Sequence, residues 1–329
     1  MENETSLVSV GDFLDVYYKV KQKGFLQLAS LFNLTKNKRV SAKWNQYQSS
    51  SDFWIIPALQ QYWNNLISGN PEVSYESYVI QKYLHNKTNL SLLSIGCGEG
   101  RHERKFAVSG LFSKVIGVDI SNERIERATQ TALENNLNIE YVAGDFHQMI
   151  VEKESFDVIL FDSSLHHFND INGFLKKEIS PLLKTEGILV ANEFCGPNRL
   201  QWKKEQLDFA NELLKELPKK YKTRIDGKSV KRKVYRPGLI RMLLVDPSEA
   251  PDSAHLKKAL QANFKVLEEK NMGWNILHIL LKGIAHNFLN NDEETNQLLA
   301  YLIKKEEEFI ERVGDADSIF GVYKKSRLE

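Results

Sequence analysis

The stretch LLSIGCGEGRHE, residues 92–103, breaks an apolar run with glycines at every second position, Gly96, Gly98 and Gly100, and sets Glu99 between the last two. A strand that passes through glycines directly into a helix lets a ligand approach bare main chain. A dinucleotide fingerprint places two residues between its second and third glycines; here there is one. Glu99 also argues against a pyrophosphate, since like charges a few Å apart cost about 1 kcal/mol or more. A ligand with positive charge and no phosphate meets no such penalty.

Outward from this loop, short β-rich runs at 92–95, 115–119, 139–143, 158–161 and 188–191 alternate with segments such as NERIERATQTALENN and INGFLKKEISPLL, whose apolar residues recur three and four apart. Alternation at this spacing predicts an α/β doubly wound sheet with helices on both faces and every strand's C-terminal end on one ligand-binding rim. Two later runs, 264–270 and 317–325, read as closing strands. The expected organisation is a helical, aromatic N-terminal cap over 1–90, an α/β core over 91–196, a helical insertion over 197–262 that caps the substrate, and the remaining strands with a helical insertion over 263–329.

S-adenosylmethionine has the required charge, with a cationic sulfonium and α-ammonium. The second strand ends in VIGVDIS, where Asp119 lies about twenty residues beyond the loop and can accept from both ribose hydroxyls. The third ends in AGDF, where Asp145 can accept from an adenine amino group with Phe146 against the ring. Simpler readings stand beside these: Asp119 and Ser121 as a helix N-cap region, and Asp145 as a turn residue. Cys97 reads as a small packing residue rather than a redox group.

These motifs, in this order, resemble the class I S-adenosylmethionine-dependent methyltransferase family over roughly residues 90–196. The resemblance implies a Rossmann-like seven-stranded methyltransferase sheet. It places Gly96, Gly98 and Gly100 at the methionine half of the cofactor, Asp119 at the ribose and Asp145 at the adenine; Cys97, Ile120, Phe146 and Asp162 complete the expected cofactor-binding set. NEFCGPNRLQW, WNNLISGNPEVSYESYVIQKYL and VDPSEAPDS look similar to a bacterial group of that family (type 11/12-like) mostly associated with small-molecule acceptors.

Methyl transfer needs a base only when the acceptor arrives protonated. His166 and His167, after the fourth strand, and Glu193, after the fifth, are the catalytic candidates; the alternatives are a histidine that only packs and a Glu193–Arg199 pair that positions the next helix. His102 reads as a supporting residue behind the site. No HExxH spacing or nucleophile elbow occurs, so no metal is expected. Trp44, Trp54, Trp63, Tyr75 and Tyr78 are candidates for an acceptor pocket or for cap core.

The 329 residues carry a formal net charge of +1, with 42% hydrophobic and 26% charged. That balance argues against a polyanion partner for the whole chain. The basic stretch PKKYKTRIDGKSVKRKVYRP, 218–237, reads as a solvated loop, as a recruiter of an anionic acceptor, or as an RNA contact. A secretory signal and a membrane span are not evident, and two cysteines suggest neither zinc nor disulfides, so a cytoplasmic protein is expected. The leading expectation is methyl transfer to a small molecule, an anionic one among the candidates, with nucleic acid and membrane not expected as partners. An RNA methyltransferase and a non-catalytic S-adenosylmethionine-binding subunit are the rivals, and a nicotinamide dehydrogenase is more remote.

Overall fold

The computed structural model describes residues 6–13 and 52–325. Strands β1 (Leu90–Ile95), β2 (Phe112–Asp119), β3 (Glu140–Ala143), β4 (Phe156–Asp162), β5 (Leu183–Phe194), β6 (Phe264–Gly273) and β7 (Ser318–Lys325) form one seven-stranded sheet in the order β3-β2-β1-β4-β5-β7-β6. β1 to β5 are mutually parallel, while β7 runs antiparallel to both β5 and β6. All seven strands fall where the apolar runs place them.

Side-chain alternation builds two core layers. Leu92, Leu160, Val190 and Val322 pack on one face with Phe106 of α3 (Arg101–Val108) and Val79 of α2 (Tyr75–Val79). Leu93, Ile159, Leu189 and Tyr323 pack on the other with Ile171 and Phe174 of α5 (Ile171–Phe174) and with Leu256 and Leu260 of α9 (Leu256–Asn263). The sequence reading put most of α9 in the insertion; its apolar side covers the sheet instead.

A third core unites α1 (Pro57–Ser68), α6 (Lys204–Glu216), α10 (Leu277–Leu281) and α11 (Glu293–Val313) through Leu59, Leu213, Leu280 and Leu302. Pro57 opens α1 at its first position and Gly69 ends it in the left-handed region. Much of the expected N-terminal cap, Trp44 included, lies outside the described residues. No described helix is long and apolar enough to cross a membrane.

The strand order reverses at β1, which pairs with β2 on one side and β4 on the other. The crevice beyond the C-terminal ends of these strands is where such sheets bind ligands. β6 shares the direction of β5, because each is antiparallel to β7, so its C-terminal end reaches the same rim.

Candidate functional site

A cavity of about 800 Å³ opens on that rim, within the range of small-molecule sites. Of the expected cofactor residues, Gly96, Cys97, Gly98, Asp119, Ile120, Asp145, Phe146 and Asp162 line it. Gly100 does not; it lies under Tyr141, whose hydroxyl donates to its carbonyl at 3.1 Å.

Gly96 turns at φ +76°, and a Cβ there would stand 2.5 Å from Ser164 Cβ. Only glycine lets β1 and the loop after β4 meet this closely. Asp119 closes the turn, accepting from Gly98 N at 2.9 Å through one oxygen and from Ser121 N at 2.8 Å through the other. The N-cap of α4 (Asn122–Glu134) is Ser121, which accepts from Arg124 N. Asp145 accepts from His147 N at 3.1 Å, capping a short turn while it faces the cavity. Burial pushes the Cys97 thiol pKa well up, which makes a thiolate role at this position unfavourable.

His102 is closer to the site than expected, lining the cavity between two carboxylates. Its Nδ1 is 2.6 Å from Glu76 on α2, and Nε2 is 3.5 Å from Asp162, which also accepts from Asn192 Nδ2 at 2.9 Å. Burial would lower the pKa of His102, but Asp162 and Glu76 outweigh it and raise it to about 9. The ring is then an imidazolium at neutral pH, tying α2 to the glycine-loop helix.

Glu193 and His166 do not line the cavity. Glu193 is fully buried and accepts from Ser164 N at 2.7 Å and Leu165 N at 2.6 Å through Oε1; Oε2 is 2.8 Å from His166 Nδ1. Burial disfavours the charged imidazole of His166, yet the Glu193 hydrogen bond and charge leave its pKa raised. The pair clasps the loop after β4, and neither group is placed to take a proton from a ligand. Arg199 does not pair with Glu193; it donates to the carbonyls of Pro247 and Glu249 at 2.8 and 3.0 Å.

His167 is the catalytic candidate that does face the cavity. Its Nδ1 stands 3.1 Å from the Ser248 carbonyl oxygen and 3.3 Å from Ser248 Oγ, contacts that hold the ring beside the cavity. Ligand atoms of His167, Asp246 and Glu249 come within 4.8 Å of one another, a grouping invisible as a spaced motif. Positive charge from Arg199 already stands beside the two acids.

The basic stretch is not at the cavity: no residue of 218–237 lines it. Lys231 is 5% exposed and donates to the carbonyls of Ile279, Leu280 and Lys282 at 2.8–3.0 Å, closing the C-terminal end of α10. Arg236 donates to Trp202 O, and Lys220 of α7 (Lys219–Lys222) pairs with Glu294.

Composition along the cavity suits a cationic ligand. Glu76, Glu99, Glu103, Asp119, Asp145 and Asp162 face it against Arg101, Lys105, Arg124 and the His102 imidazolium. Glu103 is 1% exposed, and its Oε2 has no hydrogen-bond partner among the described residues. A bare glycine turn, acids at the ends of β2, β3 and β4, and an unpartnered buried carboxylate oxygen together fit S-adenosylmethionine. The opposite wall is apolar, with Trp54, Trp63, Ile67, Met272 and Trp274. Of the residues proposed for an acceptor pocket, Trp54, Trp63 and Tyr75 line the cavity and Tyr78 does not. Sequence reasoning missed Trp274 and Glu76. The first follows the C-terminal end of β6, a signal available once that strand's direction is known; the second has no local signature.

A protein-family model described as a methyltransferase domain matches residues 86–277. The ubiquinone biosynthesis O-methyltransferase of Pelagibacter ubique is 41% identical over 101 residues, 31% of this chain and 40% of that protein. Its namesake in Bartonella quintana is 28% identical over 189 residues, 55% of this chain and 74% of the relative. The sterol 24-C-methyltransferase of Debaryomyces hansenii is 28% identical over 162 residues, 48% of this chain and 42% of the relative. The chain therefore spans about two fifths of the length of the Pelagibacter and Debaryomyces proteins. With the family match covering more than half of the sequence and the seven-stranded sheet in place, the chain belongs to the class I S-adenosylmethionine-dependent methyltransferase family.

Proposed function

We propose that this protein transfers a methyl group from S-adenosylmethionine to a small-molecule acceptor held against the apolar wall of the rim cavity. The observation that carries the reading is one cavity with two unlike ends: glycine turn and carboxylates at one, tryptophans at the other. The relatives named for ubiquinone biosynthesis and for sterol methylation support an acceptor of small-molecule size.

S-adenosylmethionine, when bound, supplies a methyl group on a sulfonium. Gly96 and Gly98 would hold its amino-acid half, Asp119 its ribose, and Asp145 and Phe146 its adenine. Cap residues from α1 and α2 exclude water and hold the acceptor's reacting atom in line, which supplies much of the catalysis such a displacement needs. His167, the catalytic candidate that lines the cavity, would take a proton from an acceptor hydroxyl or ammonium. An anionic acceptor loses its main support, because the basic residues that suggested it pack within the fold or away from the cavity.

The test uses methyl-labelled S-adenosylmethionine and extract of the source cells, with Asp119→Ala as control. Label in the low-mass fraction, absent with the variant, supports the reading. Label in nuclease-sensitive large material would move the assignment to RNA, and cofactor binding without label in any fraction would favour a binding subunit.

A further inference from the structure

We propose that Trp274 orients the methyl acceptor, and that the acceptor is a ring compound without negative charge, bearing an oxygen that accepts a hydrogen bond from the indole N–H. This rests on the reading of the cavity as a methyl-transfer site. Trp274 follows β6 at the rim and lines the cavity beside Trp54, Trp63 and Met272. It is 5% exposed, and its Nε1 is buried with no hydrogen-bond partner among the described residues. Indole nitrogen is a donor only, so what completes it must be an acceptor atom.

The backbone is bent to bring this side chain there. Gly273 and Trp274 both lie in the left-handed region, at φ +87° and +73°. Glycine adopts it freely, whereas a bulky side chain there is strained and has to be held by its surroundings. The buried carboxylate of Glu306 holds it, accepting from Asn275 N at 3.1 Å, Ile276 N at 3.2 Å and Leu277 N at 2.6 Å. A Cβ at position 273 would stand 2.5 Å from Glu306 Oε1, so the glycine lets that clamp close. Edge-on contacts to Trp54 at 5.0 Å and Phe53 at 5.4 Å then fix the indole plane.

A tryptophan held in a conformation that suits glycine, its ring locked and its donor unsatisfied, is spent on recognition rather than packing alone. An apolar wall with one donor selects a flat apolar body with one oxygen. It disfavours a carboxylate, which the cavity's acids repel.

The experiment measures binding of 2-naphthol and naphthalene to the full chain by equilibrium dialysis, with and without saturating S-adenosylhomocysteine. Wild type should bind 2-naphthol in preference to naphthalene or 2-naphthoate. Trp274→Phe keeps a ring and loses the donor, so the 2-naphthol to naphthalene affinity ratio should fall roughly three- to tenfold, the value of one net hydrogen bond. An unchanged ratio, tighter binding of the anion, or no wild-type binding of either neutral ring would overturn the proposal. The wild-type comparison decides even if the variant does not fold. S-adenosylhomocysteine failing to bind would count against the cofactor reading, and the dialysis without it still judges Trp274.

Discussion

Replacing Glu193 separates a clasp from a catalytic acid. Glu193→Ala leaves two buried donors, Ser164 N and Leu165 N, without their acceptor and removes the counter-charge of His166. Each unsatisfied buried donor costs about 1–3 kcal/mol, and breaking a buried ion pair from one side costs about 3–5 kcal/mol. These overlap, because the imidazole can shed its proton once its partner is gone. The expected loss is about 3–5 kcal/mol, a large part of a total stability of about 5–15 kcal/mol. Glu193→Gln keeps the shape and one acceptor oxygen, and should cost about 1–3 kcal/mol. In urea unfolding at pH 7 the alanine variant's midpoint should fall by about 1–1.7 M, taking a slope near 3 kcal/mol/M. The folded fraction should retain affinity for S-adenosylhomocysteine. An alanine variant within about 0.5 kcal/mol of wild type that binds cofactor normally and has lost turnover would refute the clasp and restore the catalytic reading.

Gly96→Ala combines a left-handed residue, about 1–2 kcal/mol, with the 2.5 Å approach to Ser164, about 1–3 kcal/mol of overpacking; calorimetry should show a markedly lowered melting temperature. Lys231→Met removes three hydrogen bonds to the end of α10 and should cost about 1.5–3 kcal/mol, whereas alanine at exposed Arg232 or Lys233 should change stability by less than about 0.5 kcal/mol. Equal loss at all three would contradict the structural role of Lys231. The Glu76–His102 clasp should be pH-dependent. Since the His102 pKa is raised to about 9, its contribution is full below about 6.5 and lost as pH rises through 9; Glu76, its pKa lowered to about 2, contributes above about 4.5 and loses it as pH falls through 2. The stability difference between wild type and His102→Gln should therefore shrink from pH 6.5 to 9.5, and a constant difference would contradict the assignment.

The sheet was legible because strands buried on both faces read as short apolar runs, and the glycine loop because its chemistry lies in twelve consecutive residues, 92–103. Asp119 and Asp145 were placed on the rim for the same local reason: one ends β2 and the other follows the end of β3. Glu193 lies at a strand end too, yet turns into the protein, and an acid at a strand end looks alike in sequence whichever way it faces. Lys231 reads as one more charge in a basic run, because sequence does not show its stem buried against the end of α10. Trp274 was hidden differently: its importance lies in a backbone conformation imposed by Glu306, 32 residues later, and in a donor left without a partner.

Calorimetric titration of the wild-type chain and Asp119→Ala with S-adenosylhomocysteine tests the cofactor site most directly. The account predicts saturable one-to-one binding by wild type, weakened by about 1–3 kcal/mol in the variant as buried hydrogen-bonding groups lose their partner. No saturable binding by folded wild type, or equal affinity in the two proteins, would contradict it.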